Sequence, residues 1–117
     1  MRVTDPTRFE TVLGTVARAG RTITYLDLAV RACVRGPGRI AAVTLELERL
    51  IRQDHAAGRP LRAAVAVSKV RGGLPAPGFF DLCRGLGIYA GPDEGPEAAV
   101  FHAVELRRIH DASRREP

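Results

Sequence analysis

The run Arg35-Gly36-Pro37-Gly38-Arg39 cuts an otherwise helical stretch in two. Two glycines around a proline do not continue a helix: glycine carries the largest backbone entropy, and proline lacks the N–H that an interior turn requires. Both flanks keep helical spacing. Before the break, Thr24 precedes Asp27 by three positions, a capping box with Asp in the usual Glu place, and Leu26, Leu28, Ala29 and Ala32 carry a helix to about Cys33. After it, Ile40, Val43, Leu47, Leu50 and Ile51 fall on one face of a helix reaching about Asp54, with Glu46, Arg49, Arg52 and Gln53 on the other. Any fold for this chain has to place two helices at an angle across a turn of a few residues.

The remaining segments supply what surrounds that pair. Asp5-Pro6 opens a first helix, with Asp as cap and Pro in the first turn; Phe9, Val12, Leu13, Val16 and Ala17 give it an apolar face, and Gly20 ends it. Gly58-Arg59-Pro60 stops the long helix. From Leu61 to Val70, Ala63, Val65 and Val67 alternate with Arg62, Ala64, Ala66 and Ser68, which predicts a strand with one buried face. Arg71 to Gly78 holds three Gly and two Pro and reads as a loop. Phe79, Phe80, Leu82, Cys83 and Leu86 predict a short helix closed by Gly85 and Gly87. After a second loop, Gly91 to Pro96, a last helix runs from about Pro96 to Ser113 with Val100, Phe101, Val104 and Ile109 facing inward; the tail Arg114-Arg115-Glu116-Pro117 is expected to fray. The expected fold class is mainly α with a small β element: a winged helix-turn-helix core over 5–78 and a C-terminal helical extension over 79–113. At 117 residues, 45% apolar, the chain suffices for one core over 1–117.

Charge is distributed along the chain with a polarity. The net charge is +5, and 17 of the 18 basic residues are Arg. Residues 31–71 carry nine basic against three acidic residues, a net of +6, whereas residues 72–106 carry Arg84 against five acids, a net of −4. Such a chain has a field with a direction, able to steer a polyanion to one face. Arg49 and Arg52 project from the outer side of the longer helix, Arg35 and Arg39 flank its N-terminus where free amides also suit a phosphate, and Lys69 and Arg71 lie where the strand becomes a wing.

Catalytic patterns are sparse. His55, His102 and His110 lack metal-ligand spacing and read as surface residues; Cys33 and Cys83 stand 50 apart without a CxxC and read as reduced, partly buried thiols. Gly72-Gly73-Leu74-Pro75-Ala76-Pro77-Gly78 is Gly-rich, but its prolines remove amide donors that a phosphate cradle needs. No cofactor or metal is expected. No apolar run reaches the roughly 20 residues that cross a bilayer, and no signal-peptide pattern follows Met1, so a cytoplasmic protein without a membrane partner is expected.

Thr24-Tyr25-Leu26-Asp27-Leu28-Ala29, with Arg39 standing 14 residues after Tyr25, resembles a segment of the winged-helix DNA-binding domain of O6-alkylguanine DNA alkyltransferases and alkyltransferase-like proteins. The resemblance spans residues 9 to 78. It implies that Tyr25 presses on a phosphate and Arg39 probes the base stack while a nucleotide rotates out of the duplex. The family's active-site segment is Pro-Cys-His-Arg-Val; its counterpart here, Ala66-Val67-Ser68-Lys69-Val70, has neither cysteine nor histidine. Alkyl transfer, and enzymatic activity in general, is therefore not expected. The expected function is non-catalytic binding of double-stranded DNA through the third helix and the wing, by Tyr25, Arg35, Arg39, Arg49, Arg52, Lys69 and Arg71. The alternative is a protein–protein interaction module of immunity or adaptor type, or a homodimer, using the same scaffold against an acidic surface.

Overall fold

A computed structural model describes residues 5–115. Helix α1, Pro6–Arg18, starts where Asp5 accepts the Arg8 amide at 3.0 Å, and buries Phe9, Val12, Leu13, Val16 and Ala17. The two residues of β1, Ile23–Thr24, lead directly into α2, Tyr25–Arg31, whose cap is the Thr24 hydroxyl accepting the Asp27 amide at 3.2 Å. Cys33 then takes a left-handed conformation (φ 58°), which lets the Val34 amide fold back onto the Ala29 carbonyl at 2.9 Å and closes the helix. Helix α3, Arg39–Ala56, begins behind Gly38, whose φ of 80° is a conformation that side chains rarely adopt. Helices α4, Pro77–Gly85, and α5, Pro96–Arg115, complete a mainly helical chain. Arg114 and Arg115 continue α5 instead of fraying; Glu116 and Pro117, like residues 1–4, fall outside the described residues.

The expected strand from Leu61 to Val70 is replaced by something shorter. Arg62–Val65 form a 3₁₀ turn, and only Ala66–Val67, here β2, are extended and paired. They pair with β1 in parallel, Ile23 with Ala66 and Thr24 with Val67. Packing explains the change. The 61–67 segment is packed among α1, α3 and α5, so Leu61 and Ala63 to Val67 are all buried and no one-sided pattern is left. Without a neighbouring strand for most of its length, the backbone bonds locally, Ala64 amide to Leu61 carbonyl at 3.2 Å, and sideways to α5, where His102 Nε2 lies 2.8 Å from the Ala64 carbonyl.

Helix α5 is rotated from the expected orientation. Val100 and Val104 were expected inside but are 64% and 51% exposed, while Ala98, His102, Glu105, Ile109 and Ser113 form the buried line. His102 is thus not a surface residue. Its ring donates to the Ala64 carbonyl, and burial pushes its pKa below the ordinary histidine range. Phe101, half-buried, stacks on Tyr89 with centroids 4.4 Å apart, beside an edge-on Phe79–Phe80 pair at 5.3 Å. Among the described residues no helix is long and apolar enough to cross a membrane.

Candidate nucleic-acid interface

The parallel pairing of β1 and β2 brings two distant pieces of sequence together. Thr24, Tyr25, Leu26 and Asp27, at the start of α2, face Val67, Ser68, Lys69 and Val70 across an open cleft of about 600 Å³. The far wall is a tightly bonded loop: the Ser68 amide donates to the Leu74 carbonyl at 2.8 Å, and Lys69–Arg71 make a 3₁₀ turn ended by Gly72 and Gly73, both with positive φ. Tyr25 spans the two walls. Its half-buried phenol oxygen accepts the Ala76 amide at 2.6 Å, and burial raises its pKa against the opposing effects of that bond and of Arg71. The loop is not a β-hairpin wing, because no strand follows Arg71 before α4 begins.

The structure divides the seven residues singled out from sequence. Arg71 faces inward: it donates from Nε to the Pro75 carbonyl at 2.9 Å and from Nη2 to the Asp93 carbonyl, so it ties the loop to the 91–96 segment. Arg49 is engaged on its own helix and beyond, with Glu46 at 2.7 Å, Gln53 at 3.1 Å and Glu10 at 3.5 Å. Arg35, Arg39, Arg52 and Lys69 make no ion pair or side-chain hydrogen bond among the described residues; Arg35, Arg52 and Lys69 are exposed, and Arg39 is half-buried in the first turn of α3. Lys69 stands on the cleft itself, and Tyr25 forms part of its opposite wall.

The acidic residues of α3 are also accounted for. Glu46 is neutralised by Arg49. Glu48 leans on the first turn of α4, where a Cβ added to Gly78 would lie 3.4 Å from its Oε2 and where a helix N-terminus offers partial positive charge. Asp54 is fully buried and paired with Arg62 at 2.9 Å and Arg59 at 3.3 Å. These carboxylates therefore oppose a polyanion less than their number suggests.

Neither cysteine is placed as a nucleophile in the cleft. Cys83 is buried and its thiol is pushed up to about 12, first by burial and then by Glu105, so it stays protonated at neutral pH. Among the described residues no group of three His, Cys, Asp or Glu could hold a metal ion. Sequence reasoning passed over Val70, which stands 93% exposed between Lys69 and Arg71, and Leu26, half-exposed on the facing wall. Strand alternation hides Val70; only its position next to the Gly-rich turn marks it as a projecting residue. Compared with protein-family models, curated proteins and solved structures, the chain matches none.

Proposed function

We propose that this chain is a non-catalytic double-stranded-DNA-binding protein of winged-helix type, related in plan to the alkyltransferase-like proteins. One observation carries the reading. The segment that bears the resemblance, Thr24–Ala29, and the segment at the family's active-site position, Ala66–Val70, lie about 40 residues apart in sequence, yet residues 24–27 of the one and 67–70 of the other line opposite walls of one cleft. In this reading α2 and α3 are the helix-turn-helix, and the 68–76 loop acts in place of a wing. Tyr25 and Lys69 flank a backbone phosphate at the cleft, Arg39 reaches the base stack from the start of α3, and Arg35 and Arg52 hold neighbouring phosphates. Arg49 and Arg71 serve the protein's own structure more than the contact, since their guanidinium groups are already bonded.

Fluorescence anisotropy with a random duplex tests this. Binding in the range of about 1–100 µM, weakening steeply between about 50 and 200 mM salt, is the expected result. Arg35→Ala, Arg52→Ala and Lys69→Ala should each flatten the salt slope by about one unit, whereas Arg49→Ala should change it less. No binding at low salt, or equal effects at Arg49 and Arg52, overturns the assignment. A second reading has its own support: Leu45, 55% exposed, shares the outer face of α3 with Arg52, and an apolar centre with a charged rim suits a protein partner. Failure to bind duplex would favour that interaction module.

A further inference from the structure

Helix α5 carries a second surface, unrelated to the cleft. Glu97, Val100, Val104 and Arg107 follow one another at intervals of three, four and three residues. That spacing keeps all four on one stripe, about 160° around the helix from the buried line of Ala98, His102, Glu105, Ile109 and Ser113. The middle of the stripe is apolar: Val100 and Val104 are exposed, and they join Pro96, Tyr89 and Phe101 in lining a shallow groove. Its two ends carry opposite charge. Arg107 is 85% exposed in its side chain and holds only a long contact to Asp111 at 3.7 Å; Glu97 is exposed at the N-terminal end.

The stripe is its own complement. Val100 and Val104 lie two positions either side of His102, and Glu97 and Arg107 lie five positions either side. A two-fold axis passing at the level of residue 102 would lay one α5 antiparallel on another, setting Val100 against Val104 of the second copy and Glu97 against its Arg107. Self-complementarity of this kind is what an isologous interface demands. A parallel arrangement would set Glu97 near Glu97 and gain nothing, and two ends of like charge would repel in either arrangement. Ala103, exposed beside the stripe, is small enough to let two helices approach closely. We infer that the exposed face of α5 docks a second copy of this chain, as an antiparallel helix pair with apolar centre and reciprocal Glu97–Arg107 ion pairs.

A single helix pair is smaller than the roughly 1,600 Å² of a standard interface, so the dimer is a weak one, with a dissociation constant between about 10 µM and 1 mM. Sedimentation velocity of the full chain over that range should show the mean mass rising toward twice the monomer value. Glu97→Arg and Arg107→Glu, both at exposed positions, should each weaken self-association about tenfold or more, because each places like charges opposite one another in the pair. An equimolar mixture of the two variants should recover association to within about threefold of the unmodified protein, since only the mixed pair restores opposite charges at both ends. Val104→Lys should abolish it while the circular dichroism spectrum stays unchanged. A monomer at every concentration, single reversals without effect, or a mixture that fails to recover would each overturn the proposal.

Discussion

Replacing Asp54 with alanine tests how α3 is held against the centre of the fold. The Asp54 carboxylate is fully buried and accepts from the Arg62 amide at 3.1 Å, Arg62 Nε at 3.0 Å, Arg62 Nη2 at 2.9 Å and Arg59 Nε at 3.3 Å. Arg62 has a side chain only 22% exposed, and its other partner is Glu10 at 2.8 Å. Removing one partner of a buried ion pair costs about 3–5 kcal/mol, mostly because the other charge is stranded. Arg62 would keep Glu10, and the Arg59 contact, half in solvent, adds almost nothing. The lower end, about 3 kcal/mol, is therefore expected. For a chain of this size that is a melting-temperature loss of about 12 °C, at about 4 °C per kcal/mol. Urea unfolding followed by circular dichroism gives the free energy directly, with the slope expected to stay unchanged. Asp54→Asn, which retains an acceptor for the Arg62 amide, should lose less. A loss below about 1 kcal/mol for Asp54→Ala would refute the reasoning and make the network a surface feature in energetic terms.

Two further outcomes follow from buried polar contacts. Burial holds the His102 pKa below its unfolded value, so as pH falls through about 6.5 the unfolded state gains a proton first and stability drops toward the folded pKa. His102→Gln can still donate to the Ala64 carbonyl without titrating, and should flatten that acid limb in pH-dependent urea melts; an unchanged limb would remove His102 as its cause. Tyr25→Phe deletes the acceptor of the Ala76 amide and should cost about 1 kcal/mol. Faster hydrogen exchange at Ala76 is the specific readout, and unaltered exchange would mean that the loop is held without the phenol.

Local signals carried the helices well. Asp5, Thr24 and the Gly36-Pro37-Gly38 break act within a turn of the residues they cap or stop, so α1, α2 and α3 stand close to where periodicity put them. What eluded sequence depends on distant partners. His102 is buried because a carbonyl 38 residues away accepts from its ring, and that same contact turns Val100 and Val104 outward. Arg49 is drawn toward Glu10 on α1, and Arg71 toward the Asp93 carbonyl, neither of which a reading of charge along one helix or loop can anticipate. The 61–67 segment has β composition, yet helices on several sides take up its surface and leave it only two paired residues. From sequence the cleft shows only as one motif, Thr24–Ala29, and a separate segment, Ala66–Val70; their meeting is a property of the sheet register.

The β1–β2 register also governs when in folding the cleft is assembled. Ile23 and Ala66 are 43 residues apart, and closing a loop of that length costs roughly 3 kcal/mol in chain entropy. Two paired residues cannot offset this alone, so the closure is sustained by burying Ala63 to Val67 among the helices. A nascent or partly unfolded chain with α2 and α3 already formed would hold Tyr25 but have no Lys69 opposite it. Formation of the cleft is therefore coupled to completion of the whole core, and a ligand bound there would stabilise the global fold and not a local segment.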